Sequence, residues 1–177
     1  MVAQGKETLI RELMHAIEML SPVDNATDLI PREGISIAYA LPGARTSDDV
    51  AYTINGQMFL SEDAPVVRMV LTAIRFDPTI RCIGIIKYSP LAISICKSMV
   101  LEICTFNRTL EPPGTTGIDW GVAFCCEQSD GVPDIIYDTG SREKEALIRI
   151  LGENPGQVTA RFNRIITRIM NTNLTEE

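Results

Sequence analysis

Apolar positions along the chain switch repeatedly between a helical and a strand-like spacing. Ile10, Leu13, Met14, Ile17 and Leu20 recur every three or four residues, which predicts an amphipathic helix over Lys6–Leu20, stopped by Ser21-Pro22. Ile35–Leu41 is a β-type run ended by Pro42-Gly43. Ala51–Leu60 carries Asn55-Gly56 between β-type flanks, the strongest short-range hairpin signal. A helix is expected over Ala64–Phe76, with Pro65 in the first turn, where a missing N–H costs little. Cys82–Lys87 is an apolar strand, Pro90–Met99 a helix, Val100–Phe106 a further strand and Glu111–Gly114 a loop. Asp119 is placed to cap a helix running to about Gln128. Two strands, Asp134–Asp138 and Ala146–Leu151, follow. The last helix starts near Asn154-Pro155 and buries Val158, Phe162, Ile165, Ile166 and Ile169.

These strands are too apolar for a sheet with one wet face, so helices must cover both sides. The pattern predicts a single α/β domain, a three-layer α/β/α arrangement around a mixed sheet. Its compact unit spans 30–177, with an N-terminal helix and connector, 1–29, packed onto it. Repeats, low-complexity tracts and P-loop, coiled-coil or helix-turn-helix signatures are missing.

Composition narrows the function. A net charge of −7 opposes non-specific nucleic-acid binding, which needs clustered Lys and Arg. The five cysteines, Cys82, Cys96, Cys104, Cys125 and Cys126, lie in apolar runs without CxxC spacing, so buried free thiols are expected and a metal site is not. Neither a signal peptide nor a membrane-length apolar run occurs, so a cytoplasmic protein with no membrane contact is expected. His15 is the one histidine, in the first helix, where packing or exposure suits it better than chemistry.

Candidate chemistry concentrates between the two late strands. Asp138, Thr139, Gly140, Ser141, Arg142, Lys144 and Glu145 crowd a loop that burial alone does not require. A solvated hairpin turn with Gly140 at positive φ explains it equally well. Arg45 follows a tight turn and precedes Thr46-Ser47-Asp48, a geometry that suits an anion or plain solvent. Lys87, Tyr88 and Ser89 end a buried strand, a common ligand location in α/β proteins, although Ser89-Pro90 also makes a helix cap. Trp120 fits partly buried core better than a stacking platform. Arg161, Arg164 and Arg168 share one face of the last helix, for which solvation is the simplest explanation.

Three blocks carry a family likeness. They are IAYALPGAR at Ile37–Arg45 with Asp49-Val50, FDPTIRCIGIIKYS at Phe76–Ser89 with Trp120-Gly121-Val122, and GVPDIIYDTGSREKEALIRILG at Gly131–Gly152. In this order and spacing the chain resembles the ThiN domain of archaeal-type thiamine phosphate synthases. The resemblance implies a fold like the class II aldolase/epimerase domains. It also implies a reaction joining a pyrimidine pyrophosphate to a thiazole phosphate with release of pyrophosphate, no cofactor, and a homodimer. It further implies ligand or phosphate contacts at Arg45, Ser36, Lys87, Ser89, Asp138, Gly140, Lys144 and Glu145.

Departures from the family pattern qualify this. Gln57 stands where catalytic members carry an arginine and Pro65 where they carry a histidine, and no histidine exists beyond His15. Glutamine cannot supply a fixed charge, and proline has no side-chain donor. Ser36, Ile85, Thr139 and Glu143 also replace usual family residues. The expectation is therefore a domain without catalytic residues that senses thiamine phosphate or a related intermediate, like the ThiN-like half of certain transcriptional regulators. The helix-turn-helix fused to that half elsewhere is absent here, so no direct nucleic-acid contact is expected. Two alternatives remain: a thiamine phosphate synthase using Arg45, Lys87 and Lys144, and a structural or oligomerising domain whose pocket has closed around Ile85 and Pro65.

Overall fold

A computed structural model describes residues 2–21, 27–113 and 118–175. The expected helix stop at Pro22 and the loop residue Gly114 lie outside them.

The strands are β1 (Ser36–Ala40), β2 (Val50–Ile54), β3 (Gln57–Leu60), β4 (Cys82–Lys87), β5 (Ile103–Thr105), β6 (Ile135–Tyr137) and β7 (Leu147–Gly152). They form one seven-stranded sheet in the order β3-β2-β1-β4-β7-β6-β5. Neighbours are antiparallel except β5 and β6, which run parallel, so the sheet is mixed as expected. The helices are α1 (Val2–Glu18), α2 (Pro65–Phe76), α3 (Pro90–Ser98), α4 (Trp120–Gln128) and α5 (Pro155–Thr175).

Strand alternation divides the core in two. Ile37, Tyr39, Cys82, Ile86, Ile148 and Ile150 face α1, α3 and α5. Ala38, Ala40, Ile83, Ile85, Ile136 and Leu151 face α2 and α4. Both faces are covered, which is why the strands are apolar throughout. Each fully buried Ile or Leu, such as Ile83, Ile148 or Ile165, stabilises the fold by about 1.5–3 kcal/mol relative to exposure. Among the described residues no helix is long and apolar enough to cross a membrane.

Local signals explain most boundaries. Asn55 and Gly56 take φ of 54° and 81° and close a two-residue turn in which Ile54 pairs with Gln57. Pro65 opens α2, Ser89 Oγ accepts from the Ala92 amide at the start of α3, and Asp119 Oδ1 accepts from the Val122 amide at the start of α4.

Four expectations are corrected. The strand expected from Val100 begins only at Ile103, because Val100 closes α3 in the left-handed region, with φ 59° and 91% exposure. Met14, expected on the buried stripe of α1, is 52% exposed, whereas Leu9, Leu13 and Ala16 face the core. Arg161 and Arg168 are not merely solvated. Arg161 donates to the Leu151 carbonyl and pairs with Asp134, and Arg168 donates to Ser98 Oγ, so both tie α5 to its neighbours. All five cysteines are free thiols, but Cys104 is only half-buried.

Candidate functional site

The ends of β1, β2, β4, β6 and β7 meet at one edge of the sheet. Registers place Ser36 beside both Ile54 and Ile85, and Lys87 beside Leu147, so the β6–β7 loop arrives at the same edge as the start of β1. The first turn of α2 closes over it. Between them lies a cleft of about 290 Å³. Ser36, Ile54, Pro65, Met69 and Ile85 form its floor and one wall, and Arg32, Glu33, Arg108, Lys144 and Glu145 bring the charge.

The β6–β7 loop owes its shape to a carboxylate. Asp138 is fully buried, and its Oδ1 accepts from the Gly140 amide at 2.8 Å. Its Oδ2 accepts from Arg149 Nη1 at 3.0 Å and Arg108 Nη1 at 3.2 Å. Arg149 projects from the middle of β7 beneath the cleft and places its guanidinium 4.9 Å from the centre of the Phe106 ring. Gly140 has φ +81°, and a Cβ there would stand 2.9 Å from the Lys144 carbonyl oxygen, so only glycine closes this loop without strain. The Ser141 amide then donates to the Lys144 carbonyl, and the Lys144 amide to Ser141 Oγ.

The charged residues above this buried layer are already engaged. Glu111 Oε2 lies 2.8 Å from Lys144 Nζ and 3.2 Å from Arg108 Nε. Both oxygens of Glu145 accept from the Arg32 amide, at 3.3 and 3.1 Å, fastening the loop to the connector before β1. The opposite wall is set by Gly34, whose φ of +98° lets the chain pass directly under the Asn55 side chain.

The eight candidate residues do not all converge. Ser36, Lys144 and Glu145 line the cleft, and Asp138 and Gly140 shape the loop behind it. Lys87 ends β4 with an exposed side chain on the same sheet face as Ile85, outside the cleft wall. Ser89 is occupied as the cap of α3.

Arg45 is elsewhere. It follows the other end of β1, about 13 Å along the strand from Ser36. The anion-like geometry there is filled from within, because the Arg45 and Thr46 amides both donate to Asp49 Oδ2. The physical signal that suggested Arg45 was therefore a capped turn.

Arg108 is the residue sequence reasoning missed. It sits in an isolated 3₁₀ turn, Arg108–Leu110, and only the parallel pairing of β5 with β6 brings that turn beside Asp138. Gln57 is exposed at the tip of the β2–β3 hairpin, and Pro65 stands on the cleft wall. His15 is exposed on α1, the layer across the sheet. Trp120 packs edge-on to Phe106 and stacks on Phe124, as a core residue would.

A larger groove, about 840 Å³, opens between α1 and the start of α5. Its cation, Arg81, is spent on the Ala40 carbonyl and the face of Tyr39, and Glu12 and Glu153 flank it. A phosphorylated ligand suits the smaller cleft better, where cations converge. Tyr39 itself is held protonated: burial first, and then its hydrogen bond to Glu12, push its phenol up to about 12.

Comparison with known proteins agrees with this architecture. Residues 12–164 match the family described as Thiamine-phosphate synthase ThiN. The bifunctional thiamine biosynthesis protein ThiDN of Methanocaldococcus jannaschii is 34% identical, and the alignment covers 95% of this chain but 42% of that protein. The thiamine-phosphate synthase ThiN of Methanothermobacter thermautotrophicus is 27% identical over 90% of this chain and 93% of its own length. Among solved structures, the C-terminal domain of a phosphomethylpyrimidine kinase superposes with a TM-score of 0.77 at 26% identity, covering 90% of this chain and 99% of that one. An L-fuculose 1-phosphate aldolase shares the fold alone, with a TM-score of 0.50 at 12% identity, over 96% of this chain and 88% of its own. The family match over residues 12–164 and the 34% identity across 95% of this chain establish that the chain belongs to the ThiN family.

Proposed function

We propose that this chain is a thiamine-related ligand-binding domain that holds thiamine phosphate, or a similar phosphorylated intermediate, in the cleft beside Lys144 without carrying out the reaction for which the family is named. The observation that carries the proposal is Pro65. It stands on the cleft wall in the first turn of α2, where a catalytic side chain would need to reach the ligand, and the protein's one histidine lies across the sheet on α1. Proline can shape that wall but neither donate nor accept a proton there. Ile85 adds a second apolar surface where a flat heterocycle could rest. Lys144 and Arg108 supply cations for a phosphate. Binding without turnover would suit a sensor.

Calorimetry with thiamine phosphate tests the binding, and a parallel assay of its formation from the pyrimidine pyrophosphate and the thiazole phosphate tests the absence of turnover. Binding without product is the expected result. Failure to bind at millimolar ligand overturns the reading.

The second reading, a working synthase, is favoured by one observation: Arg108 and Lys144 converge on a single oxygen of Glu111, and a departing pyrophosphate needs such paired positive charge. Product formation that disappears in Lys144→Ala would establish it instead.

A further inference from the structure

A five-membered charge chain runs beside the cleft and meets its lining at Arg108 and Lys144. Arg149 and Arg108 flank Asp138, and Glu111 bridges Arg108 to Lys144. Three cations and two carboxylates leave this cluster one positive charge in excess. The two carboxylates differ in kind. Asp138 is inaccessible and fixed by three donors, whereas Glu111 touches the cations only through Oε2 and keeps 19% of its side chain exposed. Arg108 Nε is buried and makes no hydrogen bond of good geometry, although Glu111 Oε2 is 3.2 Å away. A buried guanidinium N–H left in that condition is a donor waiting for a better acceptor.

We infer that the Glu111 carboxylate, held on the two cleft cations Arg108 and Lys144, stands in for a ligand phosphate, and that a phosphate or diphosphate group binds by displacing it from them. The inference rests on the proposed ligand-binding role of this cleft and adds its regulation: Glu111 is a built-in competitor that weakens every anion by the same factor. Charge supports the exchange. With Glu111 swung out, the remaining cluster is Arg149, Arg108 and Lys144 against Asp138, an excess of two. A phosphate dianion matches that excess, whereas a carboxylate matches half of it. Geometry supports it as well. A phosphate presents several oxygens and can satisfy Arg108 and Lys144 at separate atoms, which the single shared oxygen of Glu111 cannot. Displacement requires rotation of one partly exposed side chain and leaves the buried Asp138 layer intact. Because Glu111 weakens every anion alike, the preference for a doubly charged phosphate over a singly charged carboxylate comes from the excess of two that displacement of Glu111 leaves behind.

The test is calorimetry of inorganic pyrophosphate with the wild-type chain, Glu111→Gln and the double variant Glu111→Gln/Lys144→Gln. Thiamine phosphate is titrated alongside. Glutamine keeps the size of the side chain but removes the competing charge. A paired, partly screened carboxylate contributes about 1 kcal/mol, so Glu111→Gln is expected to bind pyrophosphate about fivefold more tightly. The double variant is expected to lose that gain. Lys144 is exposed, so its replacement does not endanger folding. Equal or weaker pyrophosphate binding by Glu111→Gln overturns the inference. If both forms then bind thiamine phosphate equally, the ligand-binding role survives without a Glu111 competitor. If neither form binds either compound at millimolar concentration, both readings fall.

Discussion

Replacing Asp138 by alanine is the sharpest probe of how the candidate site is built. The pair Asp138–Arg149 is 0% and 1% exposed with 3.0 Å between the charged atoms. At an effective dielectric of about 20, charges at this distance attract by about 5 kcal/mol, which roughly offsets the cost of withdrawing both from water. The intact pair therefore contributes little net stability. Removing one partner is different, because the buried guanidinium of Arg149 is then left with the Leu147 carbonyl at 3.4 Å and the Phe106 ring. An uncompensated buried charge costs about 3–5 kcal/mol, and the Gly140 amide loses its acceptor as well. We expect Asp138→Ala to destabilise the chain by about 4 kcal/mol, a large fraction of a domain's 5–15 kcal/mol. For a domain of this size that corresponds to a fall in Tm of roughly 8–16 °C. Urea denaturation followed by circular dichroism measures it. The companion experiment is Asp138→Leu/Arg149→Met, which removes both charges and should recover most of the loss. A single-variant loss below about 1 kcal/mol, or a double variant as unstable as the two singles summed, refutes the reasoning.

Four further outcomes are expected. Val100→Gly should stabilise by about 1 kcal/mol in a thermal melt, since Val100 is β-branched, left-handed and 91% exposed; an unchanged or lower Tm contradicts this. Gly121→Ala should destabilise by about 1–3 kcal/mol, because its Cβ would run into the Phe106 ring, and a neutral result would mean that Phe106 can move aside. Tyr39 ionises only at about 12, above the ordinary 10, so its contribution to stability is whole below pH 10 and is lost as pH rises toward 12. Phenolate absorbance of the folded chain should show that delayed ionisation, which is inconsistent with all four tyrosines titrating together near 10. Arg45→Gln should leave thiamine phosphate affinity unchanged in calorimetry, since Arg45 lies at the far end of β1; a loss of tenfold or more would return it to the binding site.

How much of this was legible in the sequence follows from the range of the forces involved. β4 occupies Cys82–Lys87 as its apolar run indicates, and the Asn55-Gly56 turn, the Pro65 start of α2 and the Ser89 and Asp119 caps are set by neighbouring residues. Both-sided burial was legible too, because strands such as Cys-Ile-Gly-Ile-Ile tolerate no wet face. The start of β5 was not, since Val100 adopts a conformation that its propensity opposes. The place of Arg45 was not legible either, because a capped turn and an anion site share the same backbone geometry until Asp49 is seen to take the Arg45 and Thr46 amides.

The sequence by itself determined the alternation of elements, the layered α/β class and the presence of a polar loop centred on Gly140, all of which rest on local periodicity and turn chemistry. Only the tertiary structure decided which charges meet. Three segments meet here, the turn carrying Arg108 and Glu111, the loop carrying Asp138 and Lys144, and β7 with Arg149, and their assembly depends on strand order and on the β5–β6 pairing. Burial then converts that encounter into a site, because the same charges in water would attract one another only weakly.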